Sequence, residues 1–264
     1  GAPPVICFDF DGVIGDSVDE SSTAAWLHAR QLWPDLDLGA SPDPFLPWMR
    51  QVRPVVETGW ENTVLVRLLA THTGDDAELA ESVLSGWDAL RDAIVEEQKL
   101  DRDTMIREYG EVRDTWIADD RAAWLKRTRP YDNVPKALLA MIDHGTEVFV
   151  ITTKQRRFCA ALLEDFGVRL PEGRLFGLED GPKTGVLRGI IADPQFKGRR
   201  IHFIEDKLST LEKVAADPEL EAVQLHFVDW GYNTAAQRER VARGELPGIS
   251  MLTKDDLSNE SYWA

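Results

Sequence analysis

Two aspartates one residue apart, Asp9 and Asp11, stand directly after the apolar run Val5-Ile6-Cys7-Phe8, with Gly12 and Val13 behind them. Near-continuous apolar runs mark parallel strands covered on both faces, so Val5 to Phe8 reads as a buried strand. Its carboxyl end is where open α/β sheets receive their ligands. Side chains alternate along extended chain, so Asp9 and Asp11 share a side only if Phe10 points away. Carboxylates so placed repel unless a cation or a proton compensates them. Asp and Gly are also ordinary turn residues, and the pair takes chemical meaning only from the rest of the chain.

Other polar residues stand at comparable places. Thr152 ends the run Val148-Phe149-Val150-Ile151, Glu205 and Asp206 end Ile201-His202-Phe203-Ile204, and Asp229 ends Val223 to Val228. In a parallel sheet these ends share one rim. Lys183 follows in the loop Glu179-Asp180-Gly181-Pro182. Asp9, Asp11, Glu205 and Asp206 offer hard oxygen donors, which suit Mg²⁺, whereas zinc would call for His or Cys beside them. Thr152 can donate its hydroxyl to a phosphoryl oxygen and Lys183 can add positive charge. Taken singly, each has a plainer reading: Thr152 as a turn residue, Lys183 as a solvated charge, Glu205-Asp206 as a helix cap. Their joint order along the chain favours the chemical one.

The elements that must position these groups fall into two kinds. From about residue 16 to 129 the pattern is helical throughout. Glu20 to Trp33, Phe45 to Val52, Trp60 to Thr71, Asp75 to Leu100 and Asp103 to Lys126 carry apolar residues at three- and four-residue steps. The Trp and Leu stripes read as core. From Pro130 onward strands alternate with helices, which implies a parallel sheet with crossovers. Asp132 and Asn133 are candidates to cap a helix with Pro135 in its first turn. The fold class is therefore α/β, a Rossmann-like parallel-sheet core interrupted after its first strand by an all-helical domain. Residues 1–15 and 130–264 form the core and residues 16–129 the insertion.

The chain has 264 residues, 43% of them hydrophobic, and a formal net charge of −16, which disfavours nucleic acid and anionic membrane surfaces as partners. No apolar run approaches the ~18 residues of a membrane span, and no basic-then-apolar leader is evident. Cys7 and Cys159 lack metal-ligand spacing and read as buried hydrophobes. A reducing, cytoplasmic setting fits.

Asp9-Phe10-Asp11-Gly12-Val13, Thr152, Lys183 and Glu205-Asp206, in that order, resemble the four motifs of the haloacid dehalogenase-like hydrolase superfamily. The insertion resembles its helical C1-type cap, and the chain is most similar to the phosphoglycolate phosphatase and β-phosphoglucomutase-like branch. The resemblance implies a Mg²⁺-dependent phosphohydrolase acting on a small phosphorylated metabolite. It implies Asp9 as the nucleophile that forms an aspartyl-phosphate and Asp11 as the general acid–base. It also implies Mg²⁺ held by Asp9, the Asp11 backbone carbonyl and Asp206, with Glu205 contributing, and Thr152 and Lys183 on the phosphoryl group. Thr210 stands where many relatives carry a further Asp, and Thr153 where Asn is common. Asp11 argues against dehalogenation, whose branch lacks the second aspartate. A phosphomutase would use the same residues, and a non-catalytic binding module on the same fold is the reading from another class. A phosphonatase would need a cap lysine in an apolar setting, and Lys99 and Lys126 read as solvated. In the insertion, Arg53 to Glu61 concentrates charge around Gly59, so Gly59 is a candidate turn or hinge and Arg53 a candidate reader of a substrate's distal group, against a plain surface pairing of Arg53 with Glu57.

Overall fold

The computed structural model describes residues 2–263. In chain order its elements begin with β1 (Val5–Phe8) and β2 (Gly15–Asp16). The helices α1 (Val18–Leu32), α2 (Leu46–Val52), α3 (Glu61–Thr71), α4 (Asp76–Glu97) and α5 (Arg102–Leu125) follow. Then come β3 (Arg129–Pro130), α6 (Val134–Asp143), β4 (Glu147–Ile151), α7 (Arg156–Asp165), β5 (Leu175–Phe176) and α8 (Lys183–Ala192). The chain closes through β6 (Ile201–Glu205), α9 (Leu208–Ala215), β7 (Val223–Val228), α10 (Ala235–Ala242), β8 (Ile249–Leu252) and two single turns of helix. Two compact units emerge, one of residues 1–16 and 129–264 and the other of residues 17–128. The antiparallel pair β2–β3, Gly15 with Pro130 and Asp16 with Arg129, lies where the chain leaves and re-enters the first unit.

In that unit six strands form one parallel sheet in the order β5-β4-β1-β6-β7-β8. β1 is central, with Val5 in register with Glu147 on one side and Ile201 on the other. The period-2 alternation explains why the strands are apolar on both faces. Val5, Cys7, Phe149, Ile151, Ile201, Phe203, Leu225 and Phe227 pack in one cluster with residues of α8, α9 and α10. Ile6, Phe8, Val148, Val150 and Ile204, on the other parity, are equally buried. Both cysteines are buried free thiols.

The helical unit has its own core of Trp26, Trp48, Met49, Trp60, Leu65, Val83, Trp87 and Tyr109. Two helices that the sequence reads as continuous bend, α4 at Gly86 and α5 at Asp120, where the backbone leaves helical φ/ψ. Gly86 lacks the side chain that would hold the helical conformation. A fully buried acid also sits here: Glu20 accepts from Arg113 Nε and Nη2 at 2.7 and 2.8 Å and from Trp124 Nε1 at 2.9 Å. Glu61 Oε2 accepts the backbone N–H groups of Glu57 and Thr58 at 2.6 and 2.7 Å, fixing the turn before α3. Gly59 serves close packing, because a Cβ there would come within 2.6 Å of the Tyr109 ring. Arg53 lies in a 3₁₀ turn and donates Nη1 to the Val56 carbonyl at 3.3 Å. Lys99 and Lys126 are exposed. At α6 the sequence expectation of a side-chain cap gives way: Asn133 has φ +66° and makes no cap hydrogen bond. Asn tolerates this left-handed conformation. Among the described residues no helix is long and apolar enough to cross a membrane.

One buried pair sets a pH dependence. His202 on β6 and His226 on β7 share a hydrogen bond at 2.9 Å, and His226 Nδ1 lies 3.1 Å from the Tyr262 hydroxyl. Trp263 meets both rings edge-on. Burial, with Arg200 nearby, lowers His202 to about 4, and burial with His202 beside it lowers His226 to about 3. An unfolded chain takes up these protons near pH 6.5 while the native one refuses them, so the neutral pair stabilises above that pH and loses its contribution below it. His226→Gln should therefore show a flatter fall of melting temperature than the wild type from pH 7 to 4. Parallel curves would contradict the linkage.

Candidate active site

The site is built at the carboxyl rim of β1, β4 and β6. β1 hands its ladder on by one residue, since Asp9 N–H donates to the Ile204 carbonyl at 2.9 Å. The chain then turns sharply: the amides of Val13, Ile14 and Gly15 all converge on the Phe10 carbonyl, and Gly12 N–H donates to Gly15 at 2.9 Å. Gly12 has φ +83°, and a Cβ on it would come within 2.1 Å of Asp206 Oδ2, so both backbone and space exclude a side chain. Phe10 turns into the protein and stacks on Phe166 with ring centroids 6.0 Å apart, as the alternation requires if Asp9 and Asp11 are to share a side.

Asp9 is buried, with Oδ1 2.8 Å from Lys183 Nζ. Lys183 also reaches Glu205 Oε2 at 2.7 Å. The other Glu205 oxygen accepts the Asp206 and Lys207 amides, each at 3.0 Å. Glu205 thus fixes the turn leading to α9 and holds Lys183 against Asp9. Asp206 Oδ2 accepts the Tyr232 amide at 2.7 Å, and its carbonyl accepts Asn233 Nδ2 at 3.1 Å. Gly231 backs it, leaving only 2.3 Å between its own notional Cβ and Asp206 Cβ. The ligand oxygens of Asp9, Glu205 and Asp206 lie within 4.8 Å of one another.

Asp11 lies outside that triad. Its Oδ1 is 3.2 Å from Lys154 Nζ, a lysine only 4% exposed. The sequence reading passed Lys154 over, though it stands two residues beyond Thr152. Thr152 is buried, and its Oγ1 accepts the Lys154 amide at 3.0 Å, which leaves the hydroxyl proton to be donated elsewhere. Asp229 is exposed and outside the triad. Asp9, Asp11, Thr152, Glu205 and Asp206 therefore stand at or just past strand ends and Lys183 opens α8, all in one unit, and each of the six makes a direct contact with another of them or with Lys154.

Electrostatics follow from the head count. Four carboxylates face two ammonium groups, a deficit that a divalent cation would cancel. Burial first, then the Glu205 charge, push Asp9 up to about 8, with Lys183 opposing and Asp11 adding to the rise. Glu205 is raised by burial, with Lys183 working against it and Asp206 with it. Burial disfavours the Lys183 ammonium, yet Asp9 and Glu205 outweigh it and hold it above the ordinary lysine range. Cys159 is held as a thiol by burial and by the Asp11 charge. The donor set is all carboxylate oxygen, which fits Mg²⁺.

No protein-family model matches the chain, nor does any curated protein. Solved structures do. One assigned as a phosphoglycolate phosphatase, from Lactobacillus delbrueckii subsp. bulgaricus, aligns over 99% of both chains with TM-score 0.58 and 14% identity. A predicted phosphatase from Clostridium acetobutylicum covers 98% of this chain and 97% of its own, with TM-score 0.57 and 16% identity. A haloacid dehalogenase-like family hydrolase from Streptococcus pneumoniae covers 97% and 96%, with TM-score 0.53 and 11% identity.

Proposed function

Starting from the haloacid dehalogenase-like fold that this chain carries, we propose that it is a Mg²⁺-dependent phosphohydrolase of a small phosphorylated metabolite, working through an aspartyl-phosphate on Asp9. The observation that carries this reading is the buried row in which Lys183 joins Asp9 to Glu205, with Asp206 completing a three-carboxylate cluster. Structural relatives with phosphatase names add support.

Asp9 Oδ attacks phosphorus while the bond from phosphorus to the ester oxygen breaks, and Asp11 gives its proton to that oxygen. Water then attacks the phosphorus of the aspartyl-phosphate, Asp11 takes its proton back, and Asp9 is regenerated with free phosphate. Thr152 and Lys183 bind phosphoryl oxygens, and Lys183 also shields Asp9 from Glu205. Asp9, Asp206 and the Asp11 carbonyl would hold Mg²⁺, with Glu205 contributing charge. When bound, Mg²⁺ neutralises the carboxylates and the phosphoryl group, letting two anions approach. A phosphomutase would run the first step on the same residues and return the phosphoryl group to substrate.

Phosphate release across a panel of phosphorylated metabolites and an aryl phosphate, with Mg²⁺ and with a chelator, tests the reading. Steady release that stops on chelation and returns with Mg²⁺ is the expected result. Release only as a minor side reaction of phosphoryl return to substrate would favour the mutase. No release from any ester would leave a binding module.

A further inference from the structure

We infer that Lys154 is a positioning residue that aims the Asp11 carboxylate for its two proton transfers, an inference that rests on the phosphohydrolase reading. The site contains two buried lysines with separate duties. Lys183 serves the nucleophile end, bridging Asp9 and Glu205. Lys154 serves the acid–base end, with Nζ 3.2 Å from Asp11 Oδ1. Asp11 stands just past the strand in a turn, and its carboxylate lies outside the three-carboxylate cluster. A carboxyl that must meet first a leaving oxygen and later a water needs a fixed direction.

Lys154 can supply that direction because its own backbone is held at both ends. Its N–H donates to Thr152 Oγ1 at 3.0 Å, and its carbonyl accepts the Leu178 amide at 3.0 Å. Its side chain is almost wholly buried, so its path to Asp11 is confined by packing. The contact suits both forms of Asp11. Oδ1 accepts from the ammonium whether Asp11 is a carboxylate or an acid whose proton sits on Oδ2. The same hydroxyl that the Lys154 amide orients is the one assigned to the phosphoryl group, so residues 152–154 couple phosphoryl binding to proton transfer.

The test compares wild type, Lys154→Met, Lys154→Gln, Asp11→Asn and the Asp11→Asn/Lys154→Met double variant on esters from nitrophenyl to alkyl phosphate. A nitrophenolate leaves without a proton, whereas an alkoxide needs one. For Lys154→Met, kcat/KM on alkyl phosphate should fall on the order of 10²-fold and on nitrophenyl phosphate less than about threefold. The double variant should fall no further than Asp11→Asn alone, because both changes remove one function. A uniform loss across leaving groups, or independent losses that multiply, would overturn the inference and assign Lys154 to the phosphoryl group. Lys154→Gln keeps polarity and serves if Lys154→Met is poorly folded. A crystal structure of either variant reads the same point without turnover: the Asp11 side chain should turn to a new rotamer, and an unmoved carboxylate would overturn the inference. Absence of wild-type release from every ester would instead sink the phosphohydrolase reading, and the crystallographic arm keeps the two failures apart.

Discussion

Asp9→Asn should leave a folded protein whose phosphate release falls on the order of 10⁴-fold or more, because an amide cannot act as the nucleophile. Loss of fold is not the expected cause. Asp9 is pushed up to about 8 by burial and by Glu205, so near neutral pH the native site already disfavours its charge. A neutral amide of the same shape relieves that repulsion while retaining an oxygen near Lys183. Its melting temperature should therefore equal or exceed that of the wild type. A variant that folds and turns over normally would remove the covalent step from the account.

The second large effect is on the metal. Asp206→Ala should lower Mg²⁺ affinity about 10²-fold or more, and Glu205→Ala should lower it less. The two acids are adjacent in sequence but not in duty. Glu205 spends one oxygen on two backbone amides and the other on Lys183. Asp206 is clamped between Gly12 and Gly231 with one oxygen on the Tyr232 amide, a placement that holds its carboxylate still at the cluster with Asp9 and Glu205. Glu205→Ala should cost stability instead, since it strands Lys183 and the turn amides. Proton competition adds a sign: Asp9 must lose a proton to bind metal, so wild-type affinity should rise with pH up to about 8 and then level. Calorimetric titration of both variants decides the order. A larger loss for Glu205→Ala would reverse the assignment.

Much of this was legible in the sequence because its signals are local. The apolar runs ending in Asp9, Thr152 and Glu205-Asp206 specify parallel strands and the rim they share, and the switch from helical to alternating patterns near residues 16 and 130 lies within a residue of the boundary between the two units. What stayed hidden depends on who meets whom in space. In the sequence nothing distinguishes Lys154 from other charges that follow strands, and only the fold brings it to Asp11. Glu205 belongs to the carboxylate cluster and holds the turn into α9, but its pairing with Lys183, 22 residues away, is a contact only the fold reveals. Gly59 reads as a turn or hinge; it stands in the turn before α3, and the Tyr109 ring that packs against it is not legible in the sequence. The bends at Gly86 and Asp120 interrupt stripes whose periodicity shows no break.

The most direct test of the covalent claim is to quench the enzyme with borohydride during turnover of an ester on which it is active, and to map the modified peptide by mass spectrometry. An aspartyl-phosphate is reduced to homoserine, whereas an unmodified carboxylate is not. The account predicts homoserine at position 9, dependent on substrate and missing from Asp9→Asn. Homoserine at another aspartate, or none at position 9 while phosphate is being formed with hydrolysis of the intermediate limiting, would contradict it.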